Sequence, residues 1–313
     1  MFNPPPMIRH VIALALSAAA ITSHAAESDS NVSAMRYVSL DVSGDNANSR
    51  QYSATGSVAM GNYTWLKGTV GKLNDSNATT LGDLSNFGIG TGIKGKHLQF
   101  NVDFSQYKNS SSYKQGDVTA SMDWSDSKFT VGLDALHRTT DNSLDTTRNF
   151  PTLGLTNVAL HVNEKLTGNG FGAHADINLT EQLTLSLGGM SYHYDSDYTL
   201  TSSTNPVLIR RLLARFPTIS QLVYLNSSGV TRALALLDNS YNLGLSYQFS
   251  SVALSTQYLR DKALDTGDIT NTMTLSASIF LGDHWMLSPS IGQSRTDQAS
   301  DVTFGGLSAS YNW

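Results

Sequence analysis

The chain contains no cysteine, so neither disulfide bonds nor thiolate metal ligands can contribute to its structure. Charged residues are also scarce, at 14% of the sequence against roughly 25% in ordinary soluble domains. Beyond residue 25, no apolar run approaches the roughly 20 residues that a membrane-spanning helix needs. A low fraction of charged residues, together with the lack of such an apolar run, predicts a membrane protein that spans the bilayer with β-strands.

The overall balance of hydropathy and charge narrows the class further. The mean hydropathy is close to neutral, at −0.18, so the apolar residues must be spread by alternation along strands, as in membrane β-barrels. The formal net charge is −5, which argues against a nucleic-acid-binding protein because such proteins are basic. We expect no cofactor, no metal site and no nucleic-acid partner.

The N-terminal segment has the pattern of an export signal. Arg9 and His10 precede an apolar run over 11–21, and a small-x-small cleavage pattern ends at Ala25. We therefore predict a signal peptide over 1–25 and a folded domain over 26–313.

The last strand of the sequence alternates between two kinds of surface. After the Gly305-Gly306 pair, the apolar residues are separated by small polar ones, and they are Leu307, Ala309, Tyr311 and Trp313. This ending resembles the closing strand of the outer-membrane β-barrels of Gram-negative bacteria. The resemblance implies a terminal strand that ends at the periplasmic rim, with Tyr311 and Trp313 as the signal for the barrel-assembly machinery. It also implies an outer-membrane location.

The same alternation predicts an all-β, antiparallel up-and-down barrel of about fourteen strands. The predicted strands lie at about 37–44, 51–60, 63–73, 87–93, 98–105, 117–124, 129–135, 169–179, 182–194, 240–249, 251–261, 269–281, 284–294 and 301–313. Val158, Leu160 and Val162 also alternate, but we assign 139–168 to one loop. That choice puts every long connection, including 196–238, at the extracellular end, as is typical of these barrels.

Tryptophan supplies a check on this layout, because Trp and Tyr favour the membrane–water interface. All four tryptophans lie beside a predicted periplasmic turn or the terminus, and we predict an interface girdle of Trp65, Trp124, Trp285 and Trp313. The register of the third strand stays open. If Trp65 faces outward, Lys67 faces lipid, whereas the other register turns Leu66 and Val70 outward.

The predicted inward face is mostly small and polar, but it carries aspartates on the first strand and on strands five to eight. The predicted pore-lining residues are Asp41, Asp103, Asp117, Asp123, Asp134 and Asp176. One hypothesis is that they are merely solvated wall positions. The other is that they bias a pore toward cations or sugar hydroxyls.

The insertion at 196–238 does not read as an ordinary loop. A helical pattern between Pro206 and Pro217 carries Arg210, Arg211 and Arg215. These arginines could hold the segment in the barrel mouth against the acidic wall, as a constriction or gate. Alternatively, the segment forms an outer cap that packs on lipopolysaccharide phosphates.

Enzymes of the outer membrane are the rival class. The candidate histidines, His137, His161, His174 and His193, match neither the phospholipase nor the protease patterns of barrel enzymes. We assign no catalytic residue, and the inward pair His174 and Asp176 reads better as part of the wall. We expect a porin-like channel for small hydrophilic solutes, in contact with outer-membrane lipid and lipopolysaccharide and monomeric. The alternative is a barrel enzyme or a surface-interaction or assembly component with a closed lumen.

Overall fold

The computed structural model describes residues 36–46, 49–75, 83–109, 113–150, 155–201, 237–264, 267–296 and 301–313. These residues form fourteen strands. The strands are β1 (Tyr37–Asp45), β2 (Ser49–Ala59), β3 (Thr64–Asp75), β4 (Leu84–Lys94), β5 (Leu98–Lys108), β6 (Tyr113–Ser125), β7 (Phe129–Phe150), β8 (Leu155–Asn178), β9 (Leu183–Thr201), β10 (Leu237–Gln248), β11 (Val252–Ala263), β12 (Ile269–Leu281), β13 (Trp285–Thr296) and β14 (Val302–Asn312).

The strands form one closed barrel in which each strand pairs antiparallel with its sequence neighbours. β1 and β14 close it, in a register that runs from Tyr37 opposite Asn312 to Asp45 opposite Phe304. Closure leaves no unpaired strand edge, which lipid would not tolerate. The predicted fourteen-stranded antiparallel barrel is therefore confirmed. In the described part of the chain, no helix is long and apolar enough to cross a membrane.

The side chains alternate between an apolar outer face and a polar inner face. On β1, for example, Val38, Leu40 and Val42 are 42%, 60% and 51% exposed, while Ser39 and Asp41 point inward between them. Such exposure of large apolar side chains on every strand would be untenable in water, and it fits a surface that faces lipid.

The two ends of the barrel differ in their connections. The end that carries Arg36 and Trp313 has short turns, and the resemblance to outer-membrane barrels makes it the periplasmic end. Gly61 and Gly282 lie in two of these turns with φ of 90° and 70°, a conformation that residues with a Cβ rarely adopt. The longer connections lie at the opposite, extracellular end.

The structure differs from the sequence-based expectation over 139–168. Most of this segment continues β7 and β8, which stay paired from Phe129 opposite Ile177 up to Phe150 opposite Leu155. Val158, Leu160 and Val162 thus lengthen β8 and add no strand. Of the predicted 196–238 loop, residues 196–201 belong to β9 and 237–238 to β10, and residues 202–236 lie outside the described residues.

Candidate functional site

The lumen is bounded by the inward residues of all fourteen strands, and its two sides differ in chemistry. Inward residues of β11–β13 carry hydroxyl groups, which we call the hydroxyl wall: Ser255, Thr270, Thr272, Thr274, Ser276, Ser278, Ser288, Ser290, Ser294 and Thr296. Inward residues of β3 and β5–β8 carry charges, which we call the charged wall: Lys67, Asp103, Asp117, Asp123, Asp134, Arg138, His174 and Asp176. In a closed ring of fourteen strands, β6 and β13 lie opposite one another.

The hydroxyl wall is held together by direct hydroxyl-to-hydroxyl hydrogen bonds between neighbouring strands. Thr272 and Ser294 lie 3.0 Å apart at their hydroxyl oxygens, and the corresponding distance between Ser255 and Ser276 is 2.7 Å. Such side chains are short and uncharged. This wall therefore narrows the lumen little and adds no fixed charge to it.

On the charged wall, one ion pair crosses a whole strand. The Lys67 ammonium on β3 lies 2.7 Å from the Asp103 carboxylate on β5, and each side chain is about a third exposed. Gly90 of β4 lies between them, where an added Cβ would collide with the Asp103 carboxylate. This glycine therefore allows two side chains on next-nearest strands to meet.

A second pair is buried deep in the wall. The Arg138 guanidinium donates to both oxygens of Asp117 at 2.9 Å, and both side chains are only 9% exposed. The Gln115 amide also donates to Asp117, at 3.0 Å, and the Tyr113 hydroxyl donates to Gln115 at 2.6 Å. This bidentate pair is geometrically restrained, and its two charges neutralise each other.

The third group lies nearer the periplasmic end and consists of His174 between two carboxylates. The two imidazole nitrogens lie 2.8 Å from Asp134 and 3.0 Å from Asp123. Gly132 supplies the space, because an added Cβ there would collide with both His174 and Asp123. Both ring nitrogens thus face carboxylates.

The structure places all six predicted pore-lining aspartates on the inner face of the barrel. Asp41 accepts a hydrogen bond from Ser53 at 3.2 Å, and Asp176 accepts one from Ser186 at 2.5 Å. His174 shares this face with Asp176 as the sequence indicates, but its contacts are to Asp123 and Asp134. The remaining candidate histidines do not join this cluster: His137 bonds to Asn169 on the outer face, His193 is exposed, and His161 lies on β8.

Sequence reasoning did not identify Lys67 and Arg138 as lumen residues. Lys67 could have been found by testing each register of β3 against an inward carboxylate two strands away. Arg138 lies between the predicted strand at 129–135 and the predicted loop at 139–168, so the alternation did not assign it to either face. Asp261, which accepts a hydrogen bond from Ser240 at 2.6 Å, is a further inward carboxylate that the sequence reading left out.

The girdle prediction is wrong for one of its four tryptophans. Trp65 is only 6% exposed and points into the lumen, because the inward register of β3 lets Lys67 reach Asp103 and not lipid. The other three tryptophans are on the outer face at the periplasmic rim and are 39–53% exposed: Trp124, Trp285 and Trp313. Tyr311 lies between two of them, with ring centroids 5.0 Å from Trp285 and 6.4 Å from Trp313. The role of Tyr311 and Trp313 in assembly stays a prediction.

Large inward side chains lie flat on the wall because glycines stand beside them. A Cβ added at the neighbouring glycine would meet the ring in each of these pairs: Trp65 on Gly92, Tyr192 on Gly170, Tyr194 on Gly168 and Phe304 on Gly292. A ring that lies against bare backbone takes up less of the lumen than one that projects from the wall. The pairing therefore lets these rings lie close to the wall.

The predicted gate residues Arg210, Arg211 and Arg215 lie outside the described residues. Their role as a constriction stays a prediction.

Comparison with solved structures bears on the fold. The translocator domain of the autotransporter NalP from Neisseria meningitidis matches over 97% of this chain and 96% of its own length, with a TM-score of 0.51 and 11% identity. The chain has the fold of an outer-membrane β-barrel. At this identity the likeness shows the fold alone.

Two further barrels are more distant. The KdgM porin matches with a TM-score of 0.40 and 11% identity, over 88% of this chain and 99% of that one. OmpT, an outer-membrane protein of Vibrio cholerae, matches with a TM-score of 0.41 and 9% identity, over 88% and 97% of the two chains. These scores are too low to carry an argument about function. No protein-family model and no curated protein matches the chain.

Proposed function

We propose that this protein is an outer-membrane channel through which small hydrophilic solutes pass passively, with a preference for cations. The observation that carries the proposal is the lumen face itself, where short hydroxyl side chains form one wall and large rings lie flat on glycines. Eight strands are filled by their own side chains, whereas sixteen to eighteen leave an aqueous channel. Fourteen strands fall between these two sizes, and the short hydroxyl side chains of β11–β13 favour a hydrated lumen.

Inward polar atoms also favour a hydrated lumen. The hydroxyl oxygens of Ser57 and Ser310 are buried and have no hydrogen-bond partner among the described residues. Leaving such a group unsatisfied costs about 1–3 kcal/mol, and an ordered water bound beside each oxygen would remove that cost.

The proposed cation preference follows from the charges that remain after pairing. Lys67, Arg138 and His174 each contact a carboxylate. Asp41 and Asp176 instead accept hydrogen bonds from serine hydroxyls, which leave their negative charges in place. A lumen with excess carboxylates favours cations over anions.

Planar-bilayer recording of the folded full-length chain tests the channel. We expect stepwise conductance increases in potassium chloride, together with permeation of small sugars in liposome-swelling assays. Silent membranes that contain correctly folded barrel would contradict the proposal and favour the closed-lumen alternative. A hydrolase assay on lipids and peptides, run on the same preparation, would then separate an enzyme from an assembly or surface-interaction component.

A further inference from the structure

A basic pair stands on the outer surface of the barrel, just beyond its apolar band. The band ends on β5 at Phe104 and on β6 at Val118. Lys108 and Lys114 share the outward parity of these residues, lie four positions further toward the extracellular end, and are exposed. The two lysines are directly opposite one another in the β5–β6 register.

Two other outward basic residues at this level have carboxylate partners. Lys262 lies four positions beyond outward Tyr258 and contacts Asp238 at 2.7 Å. Arg295 lies four positions beyond outward Ile291 and contacts Asp301 at 2.9 Å, which lowers the pKa of that carboxyl. In each case the protein neutralises its own cation.

Lys108 and Lys114 are arranged differently. Two like charges directly opposite each other on neighbouring strands destabilise a sheet. Among the described residues, neither lysine forms an ion pair within 4.0 Å. Asp141 is opposite Lys114 on β7, Lys165 is opposite Asp141 on β8, and Asp197 is opposite Lys165 on β9. The two aspartates alternate with Lys165 and Lys114, so the excess positive charge of this row lies at the Lys108–Lys114 end.

The height of Lys108 and Lys114 above the apolar band indicates which kind of anion can reach them. Four residues of a tilted strand rise about 10 Å above the apolar band, and lysine side chains can bend back toward the headgroup region. Between Lys114 and Val118, Gly116 leaves a recess whose nearest side-chain atoms are the Thr139 hydroxyl and the Phe104 ring. A phosphate at the membrane surface could enter this recess and contact both ammonium groups.

We propose that Lys108 and Lys114 form a binding site for a phosphate group of an anionic glycolipid in the outer leaflet. The lipid phosphate bridges the two ammonium groups and supplies the negative charge that Asp238 and Asp301 supply elsewhere at this level. The acyl chains of the lipid lie along the apolar outer face of the barrel, whose upper edge is formed here by Phe104 and Val118. The site is independent of the lumen and of the proposed channel.

Equilibrium titration of the detergent-folded full-length barrel with bisphosphorylated lipid A tests the site. The double variant Lys108→Gln/Lys114→Gln should weaken binding about tenfold or more, since each lysine near a membrane surface contributes roughly a fivefold factor. The charge-preserving variant Lys108→Arg/Lys114→Arg should stay within about twofold of wild type. The matched control is Lys262→Gln, whose lysine has its own carboxylate, and it should change the affinity little.

Three outcomes would overturn the proposal. One is equal affinity of wild type and the double glutamine variant for lipid A. Another is equal affinity of wild type for dephosphorylated lipid A, which would mean that the acyl chains alone bind. The third is competition by inorganic phosphate at the concentration of the lipid, which would mean a site for free phosphate. Both lysines are exposed, so the variants should fold, and heat-modifiable gel migration checks that they do.

Discussion

The charged wall and the hydroxyl wall solve the same structural problem in different ways. Both must present polar groups to the lumen from strands that are apolar on their other face. On the hydroxyl wall, neighbouring side chains satisfy each other locally, as Thr272 and Ser294 do. On the charged wall, some partners need a glycine beside them, and Lys67 reaches Asp103 across a whole strand because Gly90 lies between them.

The difference indicates a division of roles. Hydroxyl pairs carry no charge and contribute little to the free energy of unfolding. Because these side chains are short, their main effect is on the width of the lumen. Charged groups are costly to separate from their partners, and the carboxylates that remain unneutralised set the electrostatic potential. The charged wall should therefore respond strongly to substitution, in stability and in selectivity, and the hydroxyl wall weakly.

The largest expected effect is on the buried pair of the charged wall. Asp117→Asn leaves the Arg138 guanidinium buried without its carboxylate, which should cost about 3–5 kcal/mol of unfolding free energy. Denaturant titration of the barrel in micelles measures this loss. The control is Asp103→Asn, whose partner Lys67 is a third exposed, and it should cost about 1 kcal/mol or less. If Asp117→Asn and Asp103→Asn lower the free energy of unfolding equally, burial does not distinguish the two ion pairs.

An intermediate effect is expected where rings lie on glycines. Gly168→Ala puts a Cβ into the Tyr194 ring, so the ring either strains the wall, at about 1–3 kcal/mol, or swings into the lumen. The second response should lower single-channel conductance. Gly68→Ala is the matched control, because its Cβ would meet nothing within 4 Å. If Gly168→Ala changes neither stability nor conductance, the rings do not rely on these glycines.

The smallest effect is expected on the hydroxyl wall. Removal of one hydroxyl by Ser294→Ala breaks the bond to Thr272 and should cost about 1 kcal/mol, the usual net contribution of one neutral hydrogen bond. Ion selectivity, measured as the reversal potential, should not change. A loss of several kcal/mol, or a selectivity change, would remove the contrast between the walls.

The barrel itself was predictable because alternation with period two is a local property of each strand, and lipid on one side enforces it. The register of β3 could not be predicted in this way, because it depends on the ion pair between Lys67 and Asp103, which lies two strands away. The partners of His174 were missed for the same reason: the sequence shows its neighbour Asp176, but Asp123 and Asp134 approach from β6 and β7. The extended ends of β7 and β8 were missed because 139–168 was weighed only as a loop or as an additional strand, and an additional strand would have put 196–238 at the periplasmic end. The segment instead lengthens two strands and leaves their order unchanged.

The proposed cation preference of the lumen depends on the carboxylates of the charged wall. Its most direct test is the reversal potential across a potassium chloride gradient, for wild type, for Asp123→Asn/Asp134→Asn/Asp176→Asn and for the hydroxyl-wall control Ser276→Ala/Ser288→Ala. We predict that wild type and the control share a potential of cation-preferring sign, and that the triple variant shifts toward zero or reverses. An anion-preferring wild type, or a triple variant with the wild-type potential, would contradict the claim.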